Sequence, residues 1–465
     1  MARAAATLGT GARISDFVTV GVIARSFPLS QVRQILSKTG KTSQRERELP
    51  AHVVVYYVIA MALFMNASCR EVLRCLLEGV HWLSEGGGAP KITTKSGISQ
   101  ARSRLGSEVM QRLYEDAVKP IATAQTKGAW FKGWRLVSLD GSTFDVADDP
   151  ALEGAFGRPG AGHGESAFPQ VRIVSLVENG AHVLFATKIA GCKISELALA
   201  TQVIPALKAG MLCLADRNFL SFDLWEQAQQ TGADLLWRAK QGRDLPEDER
   251  LADGSYLSRL YPGDHRKRHS DGIKVRVIDY RLYGVADAEP MYRLVTTILD
   301  PAQASANELA ALYHERWEIE TVLAELKTHL RGSRIVLRSK TPDLVRQEIY
   351  GLLLAHFAIR GLMHEAALKA DEDPDRLSFI HAVRVMRRKL AAFGGVPPLR
   401  RDPRCIEPSS RKSSRSDCRH PPTGATNAAS NEKSAATPSG GRPTDLRPQS
   451  ILLCAFKSLS EPYWV

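Results

Sequence analysis

The sequence contains no cysteine pair with redox or metal-binding spacing, no hydrophobic run long enough to cross a membrane, and no excess of acidic charge. Its seven cysteines, Cys69, Cys75, Cys192, Cys213, Cys405, Cys418 and Cys454, include no Cys-x-x-Cys pair and no zinc spacing with histidine. An odd, scattered set argues against a disulfide framework and fits reduced thiols in a cytoplasmic protein. The most apolar stretch, Ala51 to Met65, is shorter than the roughly 20 residues a membrane span needs, and it follows the charged Arg45-Glu-Arg-Glu48. It reads as a buried helix, and no membrane partner is expected. Near the N-terminus Arg3 is not followed by an apolar run ending in a cleavage site, so no secretion signal is expected.

What is present is a chain of 465 residues with 44% hydrophobic and 24% charged residues, enough to bury a substantial core in two or three structural units. The 62 Lys+Arg outnumber the 50 Asp+Glu, giving a net charge of +12. That imbalance points to a polyanionic partner, nucleic acid foremost.

Residues 1–130 read as helical, with apolar spacing over Leu29–Leu36, Val53–Met65 and Val72–Leu83. Thr93 to Leu105 reads as a turn leading into a helix that carries Gln100, Arg102 and Arg104 outward, an arrangement suited to phosphate contacts and equally to a solvated basic face. From about 131 the pattern changes to short strands. Trp134–Asp140 ends in a carboxylate, a Gly-rich loop spans Gly154 to Gly164, and Gln170–Val177 and His182–Ile189 flank the turn signal Asn179-Gly180. A helix opens at Ser195-Glu-Leu and closes at Gly210. Met211–Asp216 is a buried-type strand that again ends in a carboxylate; helix Leu220–Gln230 and strand Asp234–Ala239 follow.

The order β-β-β-α-β-α-β describes a compact α/β unit over 131–240. A β-rich insertion over 241–305, with strands at Ile273–Tyr283 and Tyr292–Leu299, separates it from one more helix at 306–335. Helices Leu344–Leu368 and Phe379–Leu390 fill 336–396, the second starting at the cap Ser378 and carrying Arg384, Arg387, Arg388 and Lys389. The Pro-, Ser-, Arg- and Gly-rich remainder, 397–465, is expected to be a disordered basic tail with a short apolar end.

The 306–335 helix carries the chemistry. At about 100° per residue, Tyr313, Arg316, Glu320 and Lys327 fall within roughly 60° of one another, beside an apolar stripe of Leu312, Ile319, Leu323, Leu326 and Leu330. Alone, this would be an amphipathic helix with an i,i+4 pair worth a few tenths of a kcal/mol. Together with Asp140 and Asp216 at two strand ends it becomes a carboxylate cluster, because ligand sites in open α/β sheets gather beyond the carboxyl ends of the strands. Three such carboxylates repel and need a cation, and hard oxygen donors suit Mg²⁺, with Mn²⁺ as substitute. Two ions about 4 Å apart serve in-line phosphoryl displacement, and Arg316 and Lys327 would hold phosphates on either side of the reacting bond. Arg238 and Lys240 could contact nucleic-acid phosphates, whereas Trp237 reads as core.

The order Asp140, Asp216, Glu320, with Tyr313-x2-Arg316-x3-Glu320-x6-Lys327, Asp140-Gly-Ser-Thr143 and Asp216-Arg217, resembles the DDE transposases of the fourth insertion-sequence family, which includes the transposase of transposon five. The resemblance covers about 131–335 and extends more loosely over the flanking helices. It implies a ribonuclease H-like catalytic core interrupted by the β-rich insertion, preceded by a helical N-terminal domain that binds DNA ends. It also implies an enzyme that nicks at terminal inverted repeats, frees a 3′-hydroxyl and joins it to target DNA, working as a homodimer in a synaptic complex and associated with the nucleoid. An aromatic residue in the insertion would stack on a flipped base, with Tyr292 as the candidate where relatives often carry tryptophan. The competing readings are a DNA-binding descendant that no longer cuts, and a metal-dependent nuclease without strand transfer.

Overall fold

The computed structural model describes residues 21–44, 49–79, 93–161, 164–165, 167–263, 272–282, 289–332 and 335–392. The expectation for the tail at 397–465 lies outside them, as does part of the Gly154–Gly164 loop. The described chain is a mixed α/β protein in which a long central sheet is flanked by helices.

The N-terminal part is helical: α1 (Gly21–Ser26), α2 (Leu29–Lys38), α3 (Ala51–Leu63), α4 (Cys69–Gly79), α5 (Lys95–Leu105) and α6 (Ser107–Ala117). Helix α3 is apolar on every side, and all residues from Val53 to Leu63 are buried, so it is the core helix its composition demands. No helix among the described residues is long and apolar enough to cross a membrane.

The sheet part follows as β1 (Trp130–Phe131), β2 (Trp134–Asp145), α7 (Pro150–Phe156), the small hairpin β3 (Gly160–Ala161) and β4 (Gly164–Glu165), β5 (Gln170–Glu178), β6 (Val183–Gly191), α8 (Glu196–Val203), β7 (Met211–Ala215), α9 (Phe222–Gln230) and β8 (Asp234–Arg238). The β-rich segment supplies β9 (Glu249–Arg250), β10 (Tyr256–Leu260), β11 (Ile273–Tyr280) and β12 (Tyr292–Thr296). The strand order is β6-β5-β2-β7-β8-β12-β11-β10-β9, with β2, β7 and β8 parallel and the other neighbours antiparallel. The 241–305 segment therefore does not fold apart from the core. Its strand β12 hydrogen-bonds to β8, opposing Val295 to Trp237, and continues the same sheet.

Alternate residues of the central strands enter two separate clusters. Cys213, Ala215, Leu235 and Trp237 face the large core, while Leu212, Leu214 and Leu236 face a smaller one with Ile278, Leu294, Leu309 and Tyr313. A sheet covered on both faces needs these near-continuous apolar runs. Trp237 is fully buried, edge-on to Trp225 at 5.2 Å between ring centroids.

The chain closes with α10 (Ala306–Tyr313), a 3₁₀ turn at His314–Arg316, α11 (Trp317–Ala324), a π-helical turn at Glu325–Leu330, then α12 (Pro342–Ala370) and α13 (Phe379–Ala392). Thr341 caps α12, and Ser378 accepts from the His381 amide at the start of α13. Helix α12 packs closely on α3: a Cβ at Gly351 would lie 2.8 Å from the Val58 carbonyl oxygen, so a larger residue there would part the two helices.

One expectation is overturned here. Arg102 does not project outward. It is 5% exposed, and its guanidinium donates to Gln347 Oε1 at 2.8 Å, Ser339 Oγ at 3.0 Å and the Leu344 carbonyl at 3.2 Å. Gln347 returns two bonds, to the carbonyls of Arg102 and Gly106. A polar pocket supplied by α12 and the segment just before it, about 245 positions away, makes the basic residue an interhelix lock. Gln100 and Arg104 on the same helix are exposed as expected. Arg102→Ala should destabilise the protein by about 2–3 kcal/mol, since it strands buried polar partners, and should leave the salt dependence of DNA binding unchanged. Urea unfolding paired with a salt titration of binding measures both.

Candidate active site

Strand β2 does not stop at Asp140. Gly141 to Asp145 stay paired antiparallel to β5, down to Asp145 opposite Gln170, so Asp140 lies in mid-strand. What ends is its parallel partner. The β2–β7 register sets Leu139 beside Ala215, and the residue after each is a carboxylate, Asp140 still within β2 and Asp216 just past the end of β7. The adjacency expected of the two aspartates is thus a direct result of strand pairing.

Asp140 is largely buried and its carboxyl is pushed up to about 6: burial raises it, the Gly141 amide and Arg316 oppose that, and the charges of Glu196 and Asp216 raise it again. The Gly141 amide donates to Asp140 Oδ1 at 2.7 Å. Arg316, nearly buried, lies between two acids, 3.7 Å from Asp140 Oδ2 and 3.2 Å from Glu320 Oε1. The Glu320 side chain is 43% exposed and turned to that arginine. Three of the predicted residues therefore meet through one guanidinium, which offsets part of the acids' negative charge.

Tyr313 is buried beneath this group, its hydroxyl donating to the Ala215 carbonyl at 3.3 Å, one residue before Asp216. Burial drives its phenol well above the ordinary range, so it stays protonated. Lys327 reaches β2 two residues beyond Asp140, donating to Ser142 Oγ at 3.1 Å, and burial lowers its pKa. Arg238 extends from β8 toward the same end of the sheet. Its guanidinium lies 4.7 Å from the centre of the Tyr292 ring and pairs with Glu289. Tyr292 also stacks on Tyr280 at 5.3 Å, and its hydroxyl accepts from the Glu289 amide. Lys240 and Arg104 are exposed and make none of these contacts.

The helix bearing the signature is not one uniform helix. The 3₁₀ turn and the π turn break the 100° step on either side of α11. Leu312 falls in the small cluster with Tyr313, while Ile319, Leu323, Leu326 and Leu330 join the large core.

Sequence reasoning missed what holds this helix from behind. Glu325 opens the π turn and is buried with Arg360 and with His356, whose Nε2 lies 3.0 Å away. Arg360 also reaches Nδ1 of His182 at the β5–β6 turn. On its other side His182 faces Asp375 at 2.9 Å and Glu318 at 3.5 Å, and the Gly180 amide donates to Glu318 at 2.6 Å. The turn can lie this close only with glycine: Gly180 has φ +72° and a Cβ there would be 2.7 Å from the Ala129 amide. Among the described residues, His182, Glu318 and Asp375 are the one group of three potential ligands whose donor atoms all lie within 4.8 Å of one another. Arg360 already provides compensating charge beside it, so we read this group as part of the clamp behind the helix. The Asp140, Asp216 and Glu320 set is all oxygen and opens toward solvent at Glu320, a donor chemistry that fits a hard divalent cation. Trp317, 58% exposed next to Arg316, is a further residue at this rim that the apolar pattern did not single out.

The chain is similar to known proteins in two segments. Residues 17–115 match the family described as insertion element 4 transposase N-terminal, and residues 133–358 match the transposase DDE domain. It is 30% identical over 380 residues to the transposase InsG for insertion sequence element IS4 of Escherichia coli K12, covering 80% of this chain and 84% of that one. A second transposase of the same organism, InsZ, is 26% identical over 224 residues, covering 46% and 70%. A cryo-EM structure of a piggyBac transposase synaptic complex with hairpin DNA superposes with a TM-score of 0.42 at 10% identity, over 80% of this chain and 79% of that one.

Proposed function

The chain belongs to the IS4 family of DDE transposases and is an insertion-sequence transposase, and from that premise we propose that Asp140, Asp216 and Glu320 are its catalytic carboxylates, set in a ribonuclease H-like core. The observation that carries the proposal is the β2–β7 register, which sets Asp140 beside Asp216, with Arg316 linking Asp140 to Glu320. Domains of this family act with divalent metal ions. The three carboxylates would hold two Mg²⁺, or Mn²⁺ in their place, which would supply activation of the attacking oxygen and stabilisation of the leaving oxygen. Glu320 would leave Arg316 to join them, a rotation its exposure permits.

The rest of the site then does positioning work. Arg316, freed from Glu320, offers a planar fork to a backbone phosphate, and the Tyr313 hydroxyl fixes the end of β7 on which Asp216 sits. Lys327, held by Ser142, contacts the phosphate on the far side of the cut. Arg238 and Lys240 line the DNA, and Tyr292 offers a ring for base stacking once Arg238 moves off it. The N-terminal helices, with Arg104 outward, bind the transposon ends. Two ends must be cut in concert, so the working form is a homodimer on paired DNA ends.

Lys327→Ala should weaken end binding about equally across sequences and reduce the slope of log affinity against log salt by about one. Fluorescence anisotropy with an end duplex over a salt series measures it. Joining is the step that separates this reading from a simple nuclease. With pre-cut ends, a plasmid target and Mg²⁺, covalent end-to-target products are expected; cutting without joined products would favour the nuclease.

A further inference from the structure

We propose that a fourth carboxylate, Glu196, belongs to the cation-holding set of the active site. This rests on the assignment of Asp140, Asp216 and Glu320 above and extends it to a residue outside the signature. Glu196 is the first residue of α8, behind the cap Ser195, whose hydroxyl accepts from the Ala198 amide. Helix α8 follows the β5–β6 hairpin and leads to β7. Its first turn thus arrives at the middle of β2.

The geometry at Gly141 carries the argument. A Cβ on Gly141 would lie 3.0 Å from Glu196 Oε1, 3.1 Å from its Cδ and 3.3 Å from its Cγ. The Glu196 side chain therefore runs close across the bare backbone of the residue next to Asp140, and a Cβ at 141 would press it back by a few tenths of an ångström. Gly141 here has no positive φ and its strand pairing is regular. Glycine here leaves the Glu196 carboxylate its close approach.

Glu196 is also uncompensated. Asp140 has Arg316, and Glu320 has Arg316, but among the described residues Glu196 makes no ion pair or hydrogen bond through its carboxylate. An acid at a helix N-terminus gains a little from the macrodipole, which would account for an acid in the first turn but not for its lying over Gly141 against another carboxylate. Two adjacent carboxylates with one guanidinium between three acids leave a deficit of positive charge that a divalent cation removes. Glu196 is a positioning and cation-capturing residue that reaches β2 at the residue next to Asp140.

The experiment is Mn²⁺ binding to the full-length protein without DNA, by calorimetry and by the loss of free-Mn²⁺ paramagnetic signal, for wild type, Asp140→Asn, Glu196→Gln, Glu196→Asp and Gly141→Ala. Glu196→Gln keeps size and fold and should weaken Mn²⁺ binding about tenfold, with an unchanged thermal midpoint. Glu196→Asp should recover part of the affinity. Gly141→Ala, which presses the Glu196 side chain back by a few tenths of an ångström, should weaken binding in the same direction by a smaller factor. If Asp140→Asn loses affinity while Glu196→Gln and Gly141→Ala retain it, Glu196 is only a helix-terminal acid and the inference fails alone. If Asp140→Asn itself binds as wild type, the underlying carboxylate assignment fails instead.

Discussion

Glu320→Gln keeps the size of the side chain and removes its charge, and it is expected to lower cleavage at the transposon ends by about 10³-fold or more, equivalent to roughly 4 kcal/mol of transition-state stabilisation. Binding to the ends should be largely unchanged. Glu320 stands on the outer side of α11, 43% exposed and, among the described residues, paired only with Arg316. It is not part of the core, so its loss costs the fold little. In the resting arrangement the substituted amide oxygen still accepts a hydrogen bond from Arg316, which separates the charge from the scaffold. A gel-shift assay beside a cleavage assay on the same end duplex makes the comparison. Equal losses of binding and cutting would mean that Glu320 organises the protein rather than the reaction.

The second large effect is expected behind the same helix. Arg360→Met removes the guanidinium that compensates Glu325 in a buried setting also containing His356 and His182. Breaking one side of a buried charge pair typically costs about 3–5 kcal/mol, because the remaining charge is left without a partner or water. Burial pushes the Glu325 carboxyl upward while Arg360 and the two histidines hold it well below the usual carboxylate range. A group with a lowered carboxyl pKa contributes stability above its ordinary value of about 4.5 and loses it as pH falls. Without Arg360 that contribution should shrink, and the variant should be most destabilised near neutral pH. Adding Glu325→Gln to Arg360→Met should recover a substantial part of the loss, since neither charge then remains unpaired. Urea unfolding followed by circular dichroism tests this, and a single-variant loss under about 1 kcal/mol would refute the clamp.

The two effects are linked by the helix. Glu318 and Glu325 hold its rear to the β5–β6 turn and to α12, while Arg316 and Glu320 work at its front. A loosened rear displaces the front, so Arg360→Met should also slow cutting.

Much of this was legible in the sequence because it follows local rules. Asp140 and Asp216 each end a run of alternating or continuous apolar residues, and the spacing from Tyr313 to Lys327 places four side chains on one side of a helix. The turn at Asn179-Gly180 and the caps Ser195 and Ser378 are likewise short-range signals. What stayed hidden depends on partners far away in the chain. Arg102 read as an outward base together with Gln100 and Arg104, but Gln347 and Ser339 supply a polar pocket that no local pattern encodes. Trp134–Asp140 read as a strand ending in a carboxylate; the strand continues, and Gly141 leaves Glu196 its close approach. The 3₁₀ and π turns around α11 accompany the packing of Tyr313 against the end of β7 and of Glu325 against α12, so a regular helical wheel could not foresee them. The β-rich segment read as an insertion, but its joining to β8 is a long-range pairing.

The most direct measurement is cleavage of a supercoiled plasmid carrying the element's own ends, in Mg²⁺ or Mn²⁺, with wild type beside Asp140→Asn. The account predicts cuts at the ends that require the metal and vanish in the variant. Binding to the ends without cutting in either metal, or cutting that survives in Asp140→Asn, would contradict it.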